Sequence, residues 1–176
     1  MMKRKPNILV TGAPGVGKTT LIAHVVRALP PRRAVGFLTH EIREEGTRRG
    51  FALESLTGVR STLAHVDIQS RLRVGKYGVD VPSFEDYLDN VGFEDPDAGI
   101  VVIDEIGKME CLSSKFRRLA LEILADDRPL IATIALHGGG LIADIKARAD
   151  VHLITLTRAN RDALLPGLLA LIPPRA

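Results

Sequence analysis

Two kinds of apolar run alternate along this chain. Short, nearly unbroken runs at Asn7 to Thr11, Ala34 to Thr39, Ile100 to Ile103, Leu130 to Leu136 and Val151 to Leu156 have the length and composition of strands buried on both faces. Between them, apolar residues recur three and four positions apart. Leu21, Ile22, Val25, Val26 and Leu29 form one such set, Phe116, Leu119, Ala120, Ile123 and Leu124 a second, and Leu164, Leu165, Leu168 and Leu171 a third. That spacing predicts helices with one apolar stripe. Strands alternating with helices predict an α/β fold, a mainly parallel sheet with helices on both faces.

Local signals refine the boundaries. Pro30-Pro31 should stop the first helix. Ser83, with Asp86 three residues on, predicts an N-cap and a helix to about Val91, and Ser113 or Ser114 should cap the next. A short helix is expected over Leu141 to Arg148, and a last one capped by Thr157 and kinked at Pro166. Gly50 to Ser55 and Arg60 to His65 predict an inserted antiparallel hairpin around Thr57-Gly58. The highly charged stretch "THEIREEGTRRG" (39–50) predicts a loop, and "VGKYGVDV" (74–81) a turn or short strand.

The segment "TGAPGVGKTT" (11–20) fits neither kind of run. Gly12, Ala13, Pro14, Gly15, Val16, Gly17, Lys18, Thr19 and Thr20 make a poor strand and a poor helix interior. They match the phosphate loop GxxxxGK[ST], placed between a predicted strand and a predicted helix. Glycines let backbone amides turn inward around phosphate oxygens, and the helix N-terminus adds partial positive charge. Lys18 would reach the β- and γ-phosphates, and the Thr19 hydroxyl would serve Mg²⁺. The fold class sharpens accordingly to a P-loop three-layer sandwich.

A second signal supports this reading. In "IVVIDEIGKME" the apolar run ends on Asp104 and Glu105, at the C-terminal end of a predicted central strand, where α/β sheets place their ligands. Asp104 could hold Mg²⁺ directly or through its waters, and Glu105 could polarise an attacking water or accept its proton. Lys108 could set a cation near phosphate. Arg43, Arg48 and Arg49 are candidates to stabilise charge on a γ-phosphate, and Arg161 to contact base or phosphate. Glu110 reads as a salt-bridge or helix-approach carboxylate.

Composition excludes more than it adds. The chain has 176 residues, 45% hydrophobic and 26% charged, and is expected to form a single domain over 1–176. A net charge of +3 without an aromatic-interleaved basic patch gives no strong nucleic-acid signature. The basic start, Met1 to Pro6, leads into too short an apolar run for a signal peptide or membrane span. One cysteine, Cys111, fits a reducing, cytoplasmic setting and reads as an inert buried thiol. The five histidines lack metal-ligand spacing, and His137-Gly138-Gly139-Gly140 has no GxSxG elbow to serve as an esterase oxyanion loop.

The ordered set "TGAPGVGKTTL", "GFLTHEIREEGTRRGF", "VGKYGVDV", "VVIDEIGKMECLSSKF" and "TRANRDALL" resembles the THEP1-type nucleoside-triphosphatase family over about Asn7 to Ile172. The resemblance implies Mg²⁺-dependent hydrolysis of ATP, GTP and other nucleoside triphosphates. It implies Gly12 to Thr20 as the phosphate loop and Asp104 and Glu105 as the Walker B pair. It implies phosphate contacts from Arg43, Arg49 and Lys108, and contact with the base from Asn160 and Arg161. A cytoplasmic monomer is expected. From the residues alone, a nucleoside or small-molecule kinase and a nucleotide-dependent switch stand as alternatives to the hydrolase.

Overall fold

The computed structural model describes residues 6–30 and 33–172. The basic start (residues 1–5) and Pro31 of the expected helix stop therefore lie outside the described residues. Among the described residues, nine strands form a single sheet in the order β5-β6-β4-β3-β2-β7-β8-β1-β9. They are β1 (Asn7–Thr11), β2 (Ala34–Glu44), β3 (Thr47–Ser55), β4 (Arg60–His65), β5 (Arg73–Val74), β6 (Tyr77–Val79), β7 (Ile100–Ile106), β8 (Leu130–Ile134) and β9 (Val151–Thr155). From β2 to β9 the neighbours run parallel, and from β2 to β5 they run antiparallel.

Strand alternation sorts the core into two layers. On β7, Val101 and Ile103 face one layer while Ile100 and Val102 face the other; β1 divides Leu9 from Ile8 and Val10 in the same way. One layer takes the apolar faces of α1 (Lys18–Ala28) and α5 (Arg161–Leu171), through Leu21, Ile22, Val25 and Leu168. The other takes α2 (Val81–Asp89), α3 (Ser114–Ala125) and α4 (Leu141–Lys146), through Phe84, Phe116, Leu124 and Ile145. Phe37 of β2 sits at the centre of this second layer, with the rings of Phe84, Tyr87, Phe93 and Phe116 at 6.0–6.5 Å. The α/β sandwich with helices on both faces is thus the architecture the alternation predicts.

Three local expectations change. The charged stretch 39–50 is no loop: β2 continues to Glu44, turns at Glu45-Gly46 with φ 48° and 78°, and returns as β3. Helix α2 packs on β4, but residues 40–49 around the β2–β3 turn are exposed or half-buried, and their charges are met by ion pairs within and across the two strands instead of by burial. The antiparallel part therefore extends well beyond one inserted hairpin. Asp80, not Ser83, caps α2, its Oδ1 accepting from the Ser83 amide at 3.0 Å. The cap of α5 falls at Asn160, not Thr157. Ser113 caps α3 by accepting from the Phe116 amide at 3.0 Å, and α5 runs on through Pro166.

Candidate active site

The loop between β1 and α1 closes over the C-terminal ends of the central strands. Gly15 and Gly17 adopt φ 74° and 109°, and Gly17 stands at the N-cap of α1 with no side chain occupying the helix end. The first amides of α1 are thus left to an anion. Lys18 folds back over the loop, its ammonium donating to the carbonyls of Gly12 (3.0 Å) and Ala13 (3.4 Å).

Opposite the loop, the pairing register of β7 with β8 breaks between Ile103 and Ile106. The residues in that break are Asp104 and Glu105. Asp104 is buried, and both its carboxylate oxygens are held. Thr133 of β8 donates to Oδ1 at 2.5 Å, the Thr19 hydroxyl to Oδ2 at 2.8 Å, and the Thr39 amide to Oδ2 at 3.3 Å. The Thr39 hydroxyl also donates to the Asp104 carbonyl. Thr19 and Asp104 therefore present adjacent hard oxygen donors beside the phosphate loop, a set that suits Mg²⁺.

Glu105 faces the same cleft. Burial pushes its carboxyl above the ordinary carboxylate range; Lys18 pulls it back, Asp104 adds to the rise, and Lys146 pulls it down again. Lys146 is fixed by donating to the Leu136 carbonyl at 2.7 Å, and burial lowers its own pKa against the pull of Glu105.

Glu110 is not the surface carboxylate its position suggests. It is 5% exposed, and no ion pair holds it among the described residues. A Cβ on Gly107 would lie 2.8 Å from Glu110 Oε2 and 2.9 Å from Glu105 Oε1, so the absence of a side chain at 107 leaves room for both carboxyls. Burial first, then the Glu105 charge, pushes Glu110 up to about 8, with its own amide and that of Gly107 pulling the other way. The folded state thus holds a proton there that the unfolded chain releases near 4.5, so its stability should fall as pH rises from about 4.5 to about 8. Glu110→Gln, which mimics the protonated acid, should match wild type in thermal unfolding near pH 4.5. It should exceed it increasingly toward pH 8, by at most about 5 kcal/mol. A difference that stays flat with pH would contradict this. Beside it, the half-buried Cys111 thiol is pushed up to about 11, mainly by burial, which makes it a poor nucleophile, as expected.

Two cavities flank the phosphate loop. The larger, about 650 Å³, brings together Gly12, Pro14, Gly15, Gly17, Lys18, Thr19, Thr20, Asp104, Glu105 and Lys108, as the motifs require. It adds Thr39, His40, Glu41, Arg48 and Glu110, and an apolar wall of Phe51, Leu63, Val74 and Met109. The smaller, about 340 Å³, lies behind Gly12 to Val16 and is closed by Leu136 and Thr155 to Arg158. Ala13 and Val16 line this one.

The arginines fall differently from the expectation. Arg43 pairs with Glu41 and donates to the Gly46 carbonyl, and Arg49 pairs with Glu44 and Asp67; neither lines either of these two cavities. Asn160 spends its amide on its own turn, accepting from the Thr157 amide at 2.8 Å and donating to the Thr155 carbonyl at 2.9 Å. Arg161 is exposed beside Asp162. Neither lines the smaller cavity, whereas Arg158 does. Thr133 and Lys146 lie in no motif, and Thr39 lies in a stretch that carries the resemblance without being singled out; only the contacts to Asp104 and Glu105 single the three out.

Comparison with known proteins decides the family. A family model described as "NTPase" matches residues 7–169. A Thermotoga maritima protein named nucleoside-triphosphatase THEP1 is 41% identical, the match covering 94% of each chain. The chain belongs to the THEP1-type nucleoside-triphosphatase family. A cancer-related nucleoside-triphosphatase homolog of Mus musculus is 36% identical, over 94% of this chain and 96% of its own. The fold is similar to the crystal structure of THEP1 from Aquifex aeolicus, with TM-score 0.86 and 36% identity over 96% of this chain and 99% of that one. Among the described residues, no helix is long and apolar enough to cross a membrane.

Proposed function

We propose that this protein hydrolyses nucleoside triphosphates, ATP and GTP among them, to the diphosphate and phosphate in a Mg²⁺-dependent reaction. The observation that carries the reading is the Thr19 hydroxyl set 2.8 Å from the buried Asp104 carboxylate, with Lys18 and Glu105 in the same cleft. In this mechanism the loop amides and the α1 N-terminus hold the β- and γ-phosphates, and Lys18 leaves its loop carbonyls to neutralise their charge. Thr19 and Asp104 would hold Mg²⁺, which would supply positive charge to the phosphates. Glu105 orients the attacking water and takes its proton, a role its raised pKa favours. Thr133 and Thr39 keep Asp104 in place.

The smaller cavity suits the base and ribose. Its walls are loop residues, main chain and few polar side chains, which favours tolerance among bases. The expected base contact from Asn160 then becomes an indirect one, since Asn160 shapes the Thr155–Thr157 turn that lines this cavity. The apolar wall of the larger cleft is the one observation that favours a kinase, because a phosphoryl acceptor needs such a surface. Phosphate release with no acceptor separates the two. Release should occur from MgATP and MgGTP, and from CTP and UTP within about tenfold, and should stop in EDTA. Nucleotide binding without release would favour the kinase.

A further inference from the structure

We propose that Arg48 is the catalytic arginine of this site, held ready on Glu41 and released to the γ-phosphate during hydrolysis. The inference rests on the hydrolase reading and adds to it the residue that meets charge developing on the transferred phosphoryl group.

The hairpin geometry selects Arg48 from its neighbours. Opposite β2, Glu41 pairs with Phe51 and Ile42 with Gly50, but Arg43 then pairs with Arg48. Arg49 is the extra residue of a bulge. A bulge shifts the alternation by one, so Arg48 comes to the face of Phe51 and Glu41 instead of the opposite face. The side chains follow this register: the Arg48 guanidinium lies 5.6 Å from the centre of the Phe51 ring, with Nη2 2.6 Å from Glu41 Oε1. Arg48, Phe51 and Glu41 all line the cleft that holds Lys18, Thr19 and Glu105. Arg49 goes to Glu44 and Asp67 and stays out of it.

Two features suit Arg48 to move. Its Nε–H is covered and has no hydrogen-bond partner, so one donor of the guanidinium fork is unused. Its anchor is shared as well. Glu41 also receives Arg43, through Nε at 2.8 Å and Nη2 at 2.7 Å. When Arg48 leaves, Glu41 keeps a cation, so release strands no charge. Arg43, which sequence alone ranks with the γ-phosphate contacts, becomes the residue that holds Glu41 in Arg48's absence. A guanidinium that engages only the transition state lowers the barrier without tightening substrate binding.

The test measures single-turnover phosphate release, MgATP affinity and affinity for MgADP with aluminium fluoride, in wild type, Arg48→Ala and Arg48→Lys. In Arg48→Ala, release should fall by roughly 10³-fold, in the range of an arginine finger, with MgATP affinity within about threefold of wild type. Fluoride should tighten MgADP binding in wild type and not in Arg48→Ala. Arg48→Lys keeps the charge and the pairing with Glu41 but lacks the planar fork, and should recover under a tenth of the lost rate. Release by Arg48→Ala within threefold of wild type, or unchanged fluoride tightening, would overturn the proposal. Absence of release in wild type would instead sink the hydrolase reading, and the fluoride arm alone would then decide whether Arg48 meets a transferring phosphoryl group. A purely structural role would lower MgATP and MgADP affinity alike and leave the fluoride difference intact.

Discussion

Glu105→Gln should bind MgATP about as well as wild type and turn it over at least 10²-fold more slowly, up to about 10⁴-fold. The substitution keeps the shape and removes the proton acceptor. Binding should survive because the phosphate contacts come from the loop amides, Lys18, and the Thr19–Asp104 pair, none of which Glu105 supports by a hydrogen bond. Removing a carboxylate that burial and Asp104 destabilise should, if anything, favour the folded protein. A Glu105→Gln enzyme that binds poorly would indicate a metal or structural role for this residue instead.

Gly36→Ala should leave little folded protein. Gly36 lies on β2 opposite Val102 of β7, where the antiparallel extension joins the parallel core. A Cβ there would stand 1.7 Å from the Val102 carbonyl oxygen and 2.7 Å from its carbon, both backbone atoms that no rotamer change can clear. The backbone at φ 136° adds strain for any L side chain. To relieve the clash, β2 must separate from β7, which also detaches Thr39 from Asp104. The expected loss exceeds about 4 kcal/mol, a large part of the roughly 5–15 kcal/mol that holds an ordinary domain together. Soluble yield and the thermal midpoint check this; a midpoint within a few degrees of wild type would contradict it.

The parallel core was legible because its strands are buried on both faces. Ile100 to Ile103 reads as an unbroken apolar run and Leu130 to Ile134 as one interrupted at Thr133, and the helix stripes that cover them keep their period. The loop between β1 and α1 was legible because its glycines and proline suit neither a strand nor a helix interior. So was the antiparallel hairpin of β3 and β4, expected over 50–65; the β2–β3 turn beside it was not. Strand residues that stay exposed can carry charge at many positions, so residues 40–49 look like a loop until the cross-strand ion pairs Arg48–Glu41 and Arg49–Glu44 are seen. The bulge at Arg49, which decides which arginine faces the cleft, is a feature of pairing and leaves no mark in one strand's sequence. Thr133 sits inside an apolar run, and only its bond to Asp104 distinguishes it from a core threonine. Glu110 lies beyond the Gly107–Lys108 turn, and nothing in its spacing announces a buried carboxyl beside Glu105.

The most direct measurement is phosphate release from MgATP and MgGTP with no acceptor present, wild type beside Glu105→Gln, each shown to bind nucleotide. The hydrolase mechanism predicts release that requires Mg²⁺ and is lost in Glu105→Gln. Release at the wild-type rate in Glu105→Gln would contradict it.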